Sequence, residues 1–90
     1  MINKADTEGG QILGGAIIEA IEKQLADNDP SEAKRTLKRL IRDGESRENA
    51  IRYMSCVLTD EMFRVVKNNE PYNHKRYINN LKKLPQLPDE

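Results

Sequence analysis

The stretch SRENAIRYMSCVLTDEMFRVVK, residues 46–67, decides the fold. Ile51, Met54, Leu58, Met62 and Val65 recur in it at three- and four-residue steps. That is the period of a helix with one buried stripe, not the strict alternation of a strand. Ser46 is a natural N-cap. NNEP, residues 68–71, ends the helix near Asn68, because the residue before a proline is pushed out of helical geometry. Cys56 and Phe63 fall outside the stripe beside Val66, and Glu48, Arg52 and Thr59 share an adjoining face. A helix with apolar residues on two faces needs neighbours on both, so this one is expected at the centre of the domain. The closing helix, with Tyr77, Ile78 and Leu81, is expected to cover the Phe63 and Cys56 flank. That predicts mainly a monomer, with apolar surface left over for a weak homodimer.

Outward from this helix the chain is punctuated at both ends. In DNDPSEAKRTLKRLIRDG, residues 27–44, the sequence supplies Asp29 as N-cap, Pro30 at the first helical position, Glu32 for a capping box and Gly44 as a left-handed terminator. These signals predict a helix over about 30–43 with a thin stripe of Ala33, Leu37, Leu40 and Ile41. From Gln11 to Ala26, Leu13, Ile17, Ile21, Gln24 and Leu25 predict a first helix. Gly14 and Gly15 each cost about 1 kcal/mol there relative to Ala, so either its first turn frays or another helix passes close. In EPYNHKRYINNLKKLP, residues 70–85, Asn73 caps a last helix, and Tyr72 and Tyr77 sit at the spacing of a hydrophobic staple. Four helices on short connections predict an all-α fold, a small antiparallel four-helix bundle over residues 11–85. A flexible leader over 1–10 precedes it and an extended tail over 86–90 follows.

The totals narrow the class. Hydrophobic residues are 37% and charged residues 33% of 90, too polar for a membrane protein and too apolar for a disordered one. The longest apolar run, GGQILGGAII, is far short of the ~20 residues of a spanning helix, and no basic segment precedes it as in a signal peptide. One cysteine, Cys56, makes no internal disulfide, so the expected location is the cytoplasm. Net charge is zero, which removes the global footprint of a nucleic-acid binder. Residues 1–32 nevertheless hold two bases against seven acids, and residues 33–90 hold thirteen against eight. Attraction between the two halves is the simplest account of that split.

Residues with chemistry are few. His74 is the only histidine, so a histidine metal cluster within one chain is excluded, and its place beside Lys75 and Arg76 reads as a solvated helix terminus. Cys56 has Arg52 one turn before it and Asp60 one turn after, with opposing effects on a thiolate, and no histidine close in sequence to act as base. Asp60 and Glu61 are adjacent and point apart on a helix, unlike a working acid–base pair. Glu61 projects toward the apolar stripe and is expected to pair with a base of the second helix. Lys34, Arg35, Lys38, Arg39 and Arg42 form a basic strip on that helix. Without interleaved aromatics or a glycine-rich turn, it reads as solvated surface ahead of a phosphate-binding strip.

QLADNDP, RLIRDGESRENAIRYMSCVLTDEMF and PYNHKRYINNLKKLP together resemble a family of small bacterial helical proteins known as a domain of unknown function. The resemblance covers about residues 13–85. It implies a histidine pair, four residues apart, on the first and third helices, a spacing suited to a metal. The matching positions here are Gly14, Ile18, Glu48 and Arg52, so the resemblance implies that this member lacks those ligands. No metal and no other cofactor are expected, and Glu48 and Arg52 read as a helix ion pair worth about 0.2–0.5 kcal/mol.

The expected function is a non-catalytic interaction module with a protein partner and no membrane, not an enzyme. Its candidate interaction or vestigial site comprises Gly14, Ile18, Glu48, Arg52, Cys56 and Phe63. The alternative is a small-molecule or vestigial metal site inside the bundle, formed by Glu48, Arg52 and Glu61. A weaker alternative is nucleic-acid binding through the second helix.

Overall fold

The computed structural model describes the backbone of residues 4–88 and the side chains of residues 15–88. Four helices make up the fold: α1 Lys4–Asp27, α2 Ser31–Arg42, α3 Arg47–Asn68 and α4 His74–Lys83. No strand occurs among the described residues. α1 begins at Lys4, ahead of the start expected at Gln11, and takes in most of the segment read as a leader. Extending a helix costs far less than nucleating one, so the glycines do not stop it.

Helix ends follow from local chemistry. Ser46 accepts from the Asn49 N–H at 3.0 Å and Asn73 accepts from the Arg76 N–H at 2.9 Å, satisfying donors that the first turns of α3 and α4 leave free. Tyr72 and Tyr77 meet with ring centroids 6.3 Å apart, which closes the staple. Gly44, at φ +111°, ends α2, with the Glu45 N–H returning to Leu40 O and the Gly44 N–H to Ile41 O. The start of α2 departs from expectation: Pro30 is the N-cap, no side chain caps it, and the Ser31 hydroxyl turns to Glu32 at 3.4 Å. The Ala33 N–H, the donor a capping side chain would take, bonds the Pro30 carbonyl at 3.1 Å instead. α1 closes on Asn28 at φ 52°, with the Asp29 N–H returning to Gln24 O. Asparagine tolerates this left-handed geometry better than most residues.

The core is built from Ile21 of α1, Ala33 and Leu40 of α2, Ala50, Ile51, Met54, Val57 and Leu58 of α3, and Tyr77, Ile78 and Leu81 of α4, closed by Leu84. α2 and α3 each pack against all three other helices, so the centre is shared and not held by α3 alone. On α2, Ala33 and Leu40 are buried and Leu37 is half-buried as expected, but Thr36 is buried and Ile41, expected in the stripe, is 43% exposed. Gly15 has nothing within 4 Å of where a Cβ would stand, so close helix approach does not explain it. Tyr77 donates its hydroxyl to Gln24 Oε1 at 2.8 Å, tying α4 to α1. Burial pushes that phenol up to about 12.

Glu61 is buried as expected, but its partner differs. Its carboxylate takes Arg76 Nε at 2.8 Å and Nη2 at 2.9 Å, together with the Asn73 N–H at 2.9 Å. The base therefore comes from α4 and not from α2, because the α3–α4 turn brings the start of α4 back beside Glu61. Hydrogen bonds from Arg76 hold the Glu61 carboxyl below its ordinary range in spite of burial.

Candidate functional site

α3 is exposed on the side away from the core. Phe63 is 58% exposed and Val66 82% exposed, and Cys56 is exposed as well. The expected cover by α4 does not form: Tyr77, Ile78 and Leu81 all turn into the core and leave the Phe63 flank open. Lys67 Nζ stands 5.2 Å from the Phe63 ring centroid, a contact made from solvent.

The chain after α4 supplies the other wall of a groove. Instead of leaving the domain, the segment turns at Lys83, whose carbonyl accepts from the Gln86 N–H at 2.9 Å, and Leu87 packs half-buried against the core cluster. With Ser55, Cys56, Thr59 and Phe63 on one side and Leu87 and Pro88 on the other, an open, mainly apolar groove of about 430 Å³ runs along α3. A smaller one of about 260 Å³, lined by Tyr53, Arg52, Cys56 and Leu87, continues it toward the start of the helix. Ser55 Oγ is the one described side-chain polar atom that is buried without a hydrogen-bond partner.

Three of the positions read as vestigial, Ile18, Glu48 and Arg52, converge on a different cleft, between α1 and α3. They line it with Glu22, Arg47 and Ile51. Glu48 and Arg52 form an exposed ion pair at 3.0 Å, and Arg47 grips Glu22 with bonds of 3.0 and 2.8 Å. Hydrogen bonds from Arg47 lower the Glu22 carboxyl. Glu61 lies elsewhere, locked to Arg76, so it does not join Glu48 and Arg52. Gly14 lies within α1, outside the residues whose side-chain surroundings are described. No group of three or more His, Cys, Asp or Glu poised to hold a metal occurs among the described residues.

The basic strip is divided. Arg39 points across to α4, where its guanidinium donates to the carbonyls of Leu84 at 2.5 Å, Leu81 at 3.0 Å and Lys82 at 3.3 Å. They lie at and just past the end of α4, where carbonyls lack the full set of helical donors, the Leu81 carbonyl also accepting from the Leu84 N–H at 3.2 Å, so Arg39 is a structural cap. Lys34, Arg35, Lys38 and Arg42 remain exposed. His74 is exposed and its Nδ1 meets the Tyr72 hydroxyl at 2.9 Å.

No described helix is long and apolar enough to cross a membrane. Comparison of the chain with protein-family models, with curated proteins and with solved structures finds no match.

Proposed function

We propose that this chain is a non-catalytic protein-interaction module, an antiparallel four-helix bundle that docks a protein partner on the outer face of α3. The observation that carries the reading is Phe63, a phenyl ring 58% exposed at the mouth of an apolar groove, beside Val66 and Cys56. Aromatic side chains in such settings are the usual anchors of interfaces. A photo-crosslinking residue placed at Val66 in cells expressing the protein tests this. A discrete protein adduct is expected there and not from the same residue at Lys23 on α1; equal labelling from both positions contradicts the reading.

A second reading rests on the α1–α3 cleft, where Ile18, Glu48 and Arg52 face one another. In it, the chain keeps the scaffold of the histidine-bearing family it resembles and has replaced the ligands by ion pairs. Paired Glu22–Arg47 and Glu48–Arg52 side chains suit a small zwitterion better than a metal. Binding of such a ligand that is abolished by Arg47→Ala, with the Phe63 face untouched, would favour this reading.

A further inference from the structure

We propose that the joined outer faces of α2 and α4 form a second surface, one that holds the sugar–phosphate backbone of a nucleic acid without reading its sequence. The inference is independent of the Phe63 face. A strip on α2 alone reads as solvated surface; the fold changes that reading by packing α2 against α4. α4 carries Lys75, Arg76, Lys82 and Lys83 and no acid, so the two helices together carry nine bases against one carboxylate of their own, Glu32. Arg39 keeps the seam between them positive, since it binds neutral carbonyls of Leu81, Lys82 and Leu84 and no carboxylate.

Among the described residues, internal charge pairing takes up Arg76, held by Glu61 and Glu70, and Arg42, 3.6 Å from Asp43, and leaves the other seven bases without a carboxylate. Between the acidic first third and the basic remainder, the ion pair shown among the described residues is Glu22–Arg47, which involves neither α2 nor α4. Lys34, Arg35, Lys38, Lys75, Lys82 and Lys83 make none with any described residue. Retaining a concentrated positive field in a chain of zero net charge is costly through self-repulsion, and an anionic partner offsets it.

A groove of about 430 Å³ beside α4 indicates the class of partner. Asn73, Asn79 and Asn80 line it with Arg64, Lys75 and Lys83, and it has no carboxylate. Lysines and arginines meet phosphate oxygens, and amide N–H groups donate to them as well. An acidic peptide carries its charges on side chains that point in alternating directions, whereas a nucleic acid offers an unbroken line of closely spaced phosphates able to span both helices. A lipid surface fits less well, because Ile41 is the one large apolar residue that α2 or α4 exposes, and binding in a bilayer interface needs an apolar face. No Phe, Tyr or Trp is exposed on α2 or α4, so bases find no stacking platform there and contact falls on the backbone without sequence choice.

Fluorescence anisotropy with labelled DNA of roughly 20 nucleotides, single-stranded and duplex, from about 50 to about 250 mM KCl tests the proposal. The expected result is binding that weakens steeply with salt. In Lys38→Glu/Lys83→Glu, both exposed positions, affinity should fall at least about tenfold and the log–log salt slope should flatten by about two. The charge-matched Lys23→Glu/Arg52→Glu protein should keep affinity within about twofold. Far-UV circular dichroism confirms that both variants are helical. Absence of binding at the lowest salt, or equal loss in the two variants, overturns the proposal. Equal affinity for a polyglutamate peptide or for phosphatidylserine vesicles overturns the choice of nucleic acid.

Discussion

Replacing Glu61 by Gln measures how firmly α4 is locked onto α3. The carboxylate is 1% exposed and takes two bonds from Arg76 and one from the Asn73 N–H, all of 2.8–2.9 Å. Hydrogen bonds to a charged group contribute about 1.5–3 kcal/mol each when lost singly. Glutamine still accepts from Asn73 but turns an amide donor toward the guanidinium, so the charge-assisted pair is lost. Arg76 is a quarter exposed and lies 3.7 Å from Glu70, and its charge is therefore not stranded. That keeps the loss below the ~3–5 kcal/mol of a broken, fully buried pair, at about 2–3 kcal/mol near neutral pH. The pH dependence has a definite sign. Arg76 depresses the Glu61 carboxyl below its ordinary 4.5, so its contribution is complete above pH 4.5 and is lost as pH falls through the folded-state value. Urea unfolding at neutral pH and in steps down to about pH 3 should show the gap between native and Gln proteins closing with acid. A loss under ~1 kcal/mol at neutral pH, or a gap that does not change with pH, would refute this account.

Arg52→Ala, which removes an exposed pair, should cost well under ~1 kcal/mol in the same assay; several kcal/mol would mean that the α1–α3 cleft is a closed site. Arg39→Met should cost about 1–2 kcal/mol through the lost α4 carbonyl bonds, while Lys38→Met one position away stays within about 0.5 kcal/mol. Equal effects would contradict the capping role. Gly15→Ala should raise the unfolding midpoint, by about 0.5–1 kcal/mol, because the added methyl meets nothing and the unfolded chain loses freedom.

What was legible in the sequence was chiefly local. Ser46, Asn73 and Gly44 act within a few residues of themselves, and each sits where its chemistry placed it. Asn28 was missed because its left-handed turn is a tolerance of asparagine and not a requirement for it. Signals that depend on the path of the chain in space were not legible. The burial of Glu61 followed from its position on α3, but its partner depended on where the start of α4 lands, and that chose Arg76 over a base of α2. Arg39 looks like its neighbours in sequence, and only the approach of the end of α4 sets it apart. On the α3 face, the period of the stripe separated Phe63 and Cys56 from the core. Their exposure, and the return of Leu87 and Pro88 to wall the groove, depended on α4 spending its apolar side chains inward.

Phe63→Asp tests the central claim, that the outer face of α3 is an interface and not part of the core. With the ring 58% exposed, the variant should remain folded and lose less than ~1 kcal/mol in urea unfolding, while the protein adduct formed from Val66 disappears. A loss of about 3 kcal/mol or more would return the ring to the core, and an adduct that survives the change would show that the Phe63 ring is not the anchor of an interface on this face.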